Sequence, residues 1–343
     1  MVSKRVLFCF YPAPIHYNYG IALLSRLCKD AGISVSLLML DTLAEFQRVI
    51  VAGQHDLIAF SCTLNRDFKL CESFIELALL HGKKVALGGT FFRRNNPSVF
   101  DGRCLICRGE GELLPHYLLS DDTTIFDKQY IHPDIESLPL PDYNLEMRFD
   151  GDIPKFARRS MIAYSSSRGC PGQCSFCDVQ HQNGNRIRIR RKIETDLQYL
   201  TGRYTPEMVF MVDETLPYYD DDWRKSWGDF RYPFAAYIRA DILESELLWL
   251  IDRGMVGCAF GVESGDEVYR NNVLHKGLLD SDIYRTTRIL KQHGKHYIHF
   301  YMQGTKGETF LSRKKTYEMS KNLGGFGMIF NYTHIEHNTY GGG

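Results

Sequence analysis

Short β-branched or apolar runs alternate with helix-period segments from residue 5 almost to the end of the chain, and this rhythm leaves few folds open. In the first half Val6–Tyr11, Val35–Leu40, Leu57–Cys62, Lys84–Gly88 and Cys104–Arg108 read as strands. Between them Tyr19–Ala31, Leu43–Ala52 and Asp67–His81 read as helices, with Gly32 and Gly82 as C-terminal stops. Such alternation implies right-handed βαβ units and a parallel sheet covered on both faces, so the fold class is α/β. Ligands of doubly wound sheets sit outside the carboxyl ends of the strands. Those ends carry Ser61-Cys62-Thr63, Gly88-Gly89-Thr90 and Gly109-Glu110-Gly111-Glu112, whose small and hydroxyl residues also suit ordinary loops. No G-x-G-x-x-G follows the first strand, so a standard dinucleotide fingerprint is missing.

Residues 121–160 change character, and the proline pairs around Leu138-Pro139-Leu140-Pro141 favour an extended connector. The expected organisation is therefore a doubly wound, Rossmann-like domain over 1–120, a linker over 121–160 and a second β/α domain over 161–335. The second half offers strands at Met161–Ser165, Met208–Val212, Phe234–Ile238, Cys258–Val262, Tyr297–Met302 and Met328–Asn331. Helices fall near Ile193–Thr201, Ser245–Arg253, Ser281–His293 and Leu311–Asn322. Six β/α units are fewer than the eight of a closed TIM barrel and predict a partial (β/α)6 barrel.

Composition narrows the function classes. Across 343 residues, 41 Lys+Arg balance 41 Asp+Glu, without the basic excess of a protein that grips nucleic acid by its phosphates. No apolar run is long enough to cross a bilayer, so the expected location is cytoplasmic, with no membrane partner. Ten cysteines in such a chain point to packing, metal ligation or redox chemistry rather than disulfides. Cys9, Cys28, Cys62, Cys71, Cys104, Cys107 and Cys258 read as buried core thiols.

The other three stand at C-x3-C-x2-C, Cys170, Cys174 and Cys177, on a Gly/Pro-rich loop after the Met161–Ser165 strand. Thiolates are soft ligands that suit iron–sulfur clusters and zinc. A four-iron cubane held by three thiolates keeps one iron open; alternatively His181 completes a Cys3His zinc site. Polar groups gather at the strand ends beyond: Asp213-Glu214, Arg239-Ala240-Asp241, Glu263-Ser264-Gly265 and Gln303 to Glu308. Carboxylates suit an ammonium group and hydroxyls, and arginine suits a carboxylate. The basic run Arg186 to Lys192 reads as a solvated edge, with a phosphate site as the sharper alternative.

With Phe176 before its last cysteine, this motif resembles that of the radical S-adenosylmethionine enzymes. The strand-end motifs through Gly304-Thr305-Lys306-Gly307-Glu308 extend the likeness. Gly88-Gly89, Gly109-Glu110-Gly111-Glu112 and Leu138-Pro139-Leu140-Pro141-Asp142 resemble the subgroup with an N-terminal cobalamin-binding domain.

The resemblance implies a [4Fe-4S] cluster on Cys170, Cys174 and Cys177, and S-adenosylmethionine chelated to its open iron and cleaved to a 5′-deoxyadenosyl radical. It implies contacts from Glu214 and Asp213 to the methionine amino group, Arg239 to the carboxylate, Glu263 and Ser264 to the ribose, and Phe176 to the adenine. Cobalamin would lie against Ser61, Thr63, Gly88 and Gly89, and the implied reaction is methylation of an unactivated carbon. An electron donor such as flavodoxin or ferredoxin is the implied partner; the substrate is not legible.

The sequence departs from the subgroup in lacking D-x-H-x-x-G: His16 precedes Gly20 by four and has Pro14 where the aspartate belongs, so it reads as a loop residue. Thr90-Phe91-Phe92 replaces the commoner proline and histidine after Gly88-Gly89, and the chain stops soon after the sixth strand, so a large substrate or a partner is expected to cover the opening. Two further readings stay open, radical chemistry without cobalamin and a non-catalytic zinc-stapled binding protein.

Overall fold

The computed structural model describes residues 4–11, 18–63, 65–93, 100, 102–126, 130–144, 161–177 and 187–331. His16, His181 and Arg186 lie outside them. The described residues up to 144 form one compact unit and those from 161 onward another.

In the first unit, strands β1 (Arg5–Phe10), β2 (Ser34–Met39), β3 (Leu57–Ser61), β4 (Val85–Gly88) and β5 (Leu105–Ile106) form a parallel sheet in the order β2-β1-β3-β4-β5. Period-two alternation sends β1 side chains to opposite faces, and each face has its own core. Leu7 and Cys9 pack with Phe46 and Ile50 of α2 (Leu43–Ala52) and Phe68, Phe74 and Ile75 of α3 (Asn65–Leu80). Val6 and Phe8 pack with Ile21 and Cys28 of α1 (Tyr19–Asp30) and Leu114 and Leu118 of α4 (Leu114–Ser120). Helices therefore cover both faces, and each fully buried Phe, Ile or Leu contributes about 1.5–3 kcal/mol. Helix starts are fixed locally: Asn18 Oδ1 accepts the Ile21 N–H at 3.2 Å and Thr42 Oγ1 the Glu45 N–H at 3.2 Å.

The stretch 130–144, read from sequence as part of a connector, carries no helix or strand but is tied to α1. Ile135 and Leu138 pack on Leu23, and buried Asp142 accepts the Ser25 hydroxyl at 2.9 Å and pairs with Lys29.

The second unit holds six parallel strands in chain order, β6 (Met161–Tyr164), β9 (Met208–Met211), β10 (Phe234–Tyr237), β11 (Met255–Glu263), β12 (His296–Gln303) and β13 (Phe326–Asn331). A small antiparallel ribbon, β7 (Ser167–Arg168) with β8 (Arg188–Ile189), follows β6. The helices are α5 (Ile193–Tyr204), α6 (Asp221–Lys225), α7 (Glu244–Asp252), α8 (Glu267–Asn272), α9 (Asp280–Gln292) and α10 (Phe310–Leu323). Sequential parallel order brings all carboxyl strand ends to one edge, which positions the candidate site.

Two readings are corrected. The basic run is a solvated edge only in part: Arg191 is exposed, but Arg188 and Arg190 are buried, and Arg190 pairs with Asp196 at 3.1 Å, which also accepts the Tyr164 hydroxyl at 3.0 Å. Strand β5 is only two residues long, so Cys104 and Cys107 flank it half-buried rather than lying inside it. No helix among the described residues is long and apolar enough to cross a membrane.

Candidate functional site

The cysteine loop leaves the ribbon at Gly169, whose N–H donates to Glu214 Oε2 at 3.1 Å. At its other end Ser175 anchors it, its N–H to Leu274 O at 3.0 Å and its hydroxyl to Val273 O at 3.0 Å. Cys174 is buried, and Cys170 and Cys177 are half-buried. The tight turn closes with Cys177 N–H on Cys174 O at 3.1 Å, while the Gly172 N–H points at Cys170 Sγ, 3.4 Å away.

Gly172 marks the centre of the loop. A Cβ there would stand 2.9 Å from Arg239 Nη1, 3.4 Å from Cys170 Sγ and 3.7 Å from Cys174 Sγ. Two sulfurs and a guanidinium thus face one bare backbone position. Arg239 reaches it under constraint: Nε and Nη2 bond Asp241 at 2.9–3.2 Å, and Nη2 also donates to Lys276 O at 3.0 Å. Nη1 is the corner turned to the loop. Burial pushes the Cys170 thiol up, against the Gly172 N–H and the Arg239 charge. Among the described residues no three His, Cys, Asp or Glu side chains converge as ligands of a single ion. In a cubane each thiolate binds its own iron, so convergence on one point is not required there, and the donor set and the Gly172 cradle fit such a cluster.

Glu263 closes the far side. It ends β11 beyond a register break at Gly261/Glu263, with φ at 68°, a conformation rare outside glycine. Its Oε1 accepts from Lys276 Nζ at 2.8 Å, both side chains being about nine-tenths buried. Gly261 makes room, since a Cβ there would fall 1.9 Å from Glu263 Oε1 and 2.7 Å from Lys276 Nζ. Lys276 Nζ also lies 5.9 Å from the Phe176 ring centroid. Burial is the largest single effect and works against the Lys276 ammonium, but Glu263 and the Cys174 sulfur together hold the pKa above lysine's ordinary value.

Two expected cofactor contacts are engaged elsewhere. Asp213 is 1% exposed and accepts from Ser166 N–H at 3.2 Å, Ser166 Oγ at 2.8 Å and Ser167 Oγ, which fastens the segment before the cysteines. Burial raises its pKa to about 7 despite these donors. Ser264 is also 1% exposed; its hydroxyl meets Thr316 Oγ1 at 3.3 Å and the Asp266 N–H at 3.2 Å. Fully buried Arg270 ties the Ser264 carbonyl (2.8 Å) to that of Leu278 (2.9 and 3.0 Å) and so fixes the segment bearing Lys276. Arg270 and Lys276 escaped the sequence reading; their partners are loop carbonyls or a carboxylate thirteen positions away.

In the first unit the four residues read as a cofactor contact lie at the adjoining carboxyl ends of β3 and β4. Ser61 and Gly88 are register partners at the ends of β3 and β4, and Thr63 O accepts the Thr90 hydroxyl at 2.8 Å. Gly89, at φ 101°, lies so close to Cys62 that a Cβ would be 2.2 Å from its carbonyl oxygen.

No protein-family model matches the chain. A curated relative, the "uncharacterized methyltransferase sll1242" of Synechocystis, is 29% identical over 212 residues, which is 56% of this chain; the chain spans 38% of that relative's length. Among solved structures, the radical S-adenosylmethionine methyltransferase TsrM of Kitasatospora setae, with tryptophan substrate and aza-SAM bound, superposes with TM-score 0.68 at 15% identity, over 94% of this chain and 72% of that one. The same enzyme with cobalamin and a [4Fe-4S] cluster gives 0.68 at 13%, over 96% and 72%. The chain thus shares the fold of TsrM over nearly its whole length.

Proposed function

We propose that the protein is a cobalamin-dependent radical S-adenosylmethionine methyltransferase. The observation that carries the reading is the Gly172 cradle, where Cys170 Sγ, Cys174 Sγ and Arg239 Nη1 surround a position without a side chain. Cys170, Cys174 and Cys177 would hold the [4Fe-4S] cluster. When bound, the cluster supplies an electron that cleaves S-adenosylmethionine, and cobalamin supplies the methyl group for an unactivated carbon.

The chain's own task is to bind, orient and exclude water. Arg239, braced by Asp241, turns Nη1 toward the cysteine loop to receive a carboxylate. Glu214 stands at the loop entrance for the amino group, and Glu263 offers its second carboxylate oxygen to ribose hydroxyls. Phe176 takes the adenine side. Asp213 and Ser264 act one step back, fixing the loops that carry these groups. Ser61, Thr63, Gly88 and Gly89 bring backbone and hydroxyls to the end of the first sheet, where cobalamin would approach closely.

The test is anaerobic reconstitution with iron and sulfide, then incubation with labelled S-adenosylmethionine, reductant and cobalamin. Acid-labile sulfide, 5′-deoxyadenosine and S-adenosylhomocysteine are the expected findings. Zinc without sulfide overturns the cluster, and 5′-deoxyadenosine without S-adenosylhomocysteine overturns methyl transfer.

A further inference from the structure

Among the described residues four other than glycine hold a left-handed φ, and two of them, Glu263 at 68° and His275 at 50°, serve one ion pair. Glu263 is itself a partner, and His275 directly precedes Lys276, the other. Gly277, at φ 65°, follows, so Lys276 stands between two left-handed residues. Outside glycine, each such conformation costs about 1–3 kcal/mol. A buried ion pair seldom stabilises a fold more than apolar side chains of the same volume would. Stability therefore does not account for a pair set on strained backbone at both ends.

The segment carrying Lys276 is fastened to the cysteine loop. The Val273 and Leu274 carbonyls accept the hydroxyl and N–H of Ser175, each at 3.0 Å, beside Cys174. The Lys276 N–H donates to Arg270 O at 3.1 Å, and the Lys276 carbonyl receives Arg239 Nη2 at 3.0 Å. The Lys276 side chain is 11% exposed, and its ammonium lies within electrostatic reach of the Cys170 and Cys174 sulfurs. Arg239 reaches the same two sulfurs, with Asp241 held on its Nε and Nη2 edge. Two cations, each with its own carboxylate, thus bear on one pair of thiols.

We propose that Lys276 is a positioning residue that raises the reduction potential of the cluster Cys170, Cys174 and Cys177 would hold, and that Glu263 limits the rise. Adding an electron to thiolate-bound iron adds one negative charge, so a buried cation nearby favours the reduced form and a carboxylate the oxidised one. The low local dielectric preserves both effects, and the hydrogen bonds at Ser175 and Lys276 fix the segment against the sulfurs. The inference rests on the proposed function for the presence of the cluster.

The experiment is a potentiometric titration of the full chain with reconstituted cluster, followed by electron paramagnetic resonance of the reduced form. Lys276→Met should lower the midpoint so that the reduced-to-oxidised ratio at a fixed potential falls about tenfold, about 59 mV for one electron. Lys276→Arg keeps the charge and should keep most of the wild-type midpoint. Glu263→Gln in the Lys276→Arg background, where the cation cannot lose its proton, should raise the midpoint above that of Lys276→Arg alone. If Lys276→Met takes up no cluster, this second comparison decides by itself. Equal midpoints throughout, or shifts in one direction on losing the cation and on losing the carboxylate, overturn the inference, because repacking does not follow the sign of the charge. Opposite shifts without S-adenosylmethionine cleavage defeat the proposed reaction alone, and cleavage with equal midpoints defeats this inference alone. Zinc without sulfide defeats both.

Discussion

Lys276 Nζ stands 2.8 Å from Glu263 Oε1 in a pair about nine-tenths buried, directly over the bare Cα of Gly261. Losing one partner leaves an uncompensated buried charge, so Lys276→Met should cost about 3–5 kcal/mol in chemical denaturation. Glu263→Met combined with Lys276→Met should recover most of that loss. A double variant as unstable as the single one would show that the pair's charge is not what matters.

Gly172→Ala tests the cradle. The added methyl meets Arg239 Nη1 at 2.9 Å, and that guanidinium is held by Asp241 and the Lys276 carbonyl, so it yields poorly. Iron and sulfide content after reconstitution should fall several-fold while the unfolding free energy changes by less than about 1 kcal/mol. Full cluster loading in the alanine variant would contradict this geometry.

Asp213 makes stability depend on pH. Its folded pKa, about 7, lies above the 3.8 of an ordinary aspartate, so the native state binds the proton more tightly. Its contribution is therefore complete below about pH 4 and is lost as pH rises through about 7. The stability of the wild type relative to Asp213→Asn should decline across that window and level off above it. A flat difference between pH 4 and 8 would refute the assignment.

Gly89→Ala should destabilise the first unit by about 2–4 kcal/mol, because φ 101° is strained for alanine and the methyl collides with the Cys62 carbonyl. Equilibrium unfolding followed by far-ultraviolet circular dichroism measures it, and a wild-type midpoint would show that the turn relaxes freely.

Periodicity carried much of the architecture into the linear sequence. The runs read at Leu57, Phe234 and Tyr297 are strands within one or two residues, because buried parallel strands must be apolar along their length. Short elements were illegible: α6 and α8 have five and six residues, too few to show a helical period. At the site, the cysteines were legible by spacing, whereas Lys276 was not, since its partner lies thirteen positions earlier across a helix. The buried Arg190–Asp196 pair misled the reading of the basic run, because charge in sequence says nothing of a carboxylate one turn into the next helix.

The chain's three tryptophans, Trp223, Trp227 and Trp249, lie with centroids 5.5–6.1 Å apart, and the Trp223 indole donates to Ser166 Oγ at 2.9 Å. Tryptophan fluorescence therefore comes from a single locus, one hydroxyl removed from Asp213. The molecule carries its own optical gauge of the segment leading into the cysteine loop, readable in an anaerobic cuvette without any label.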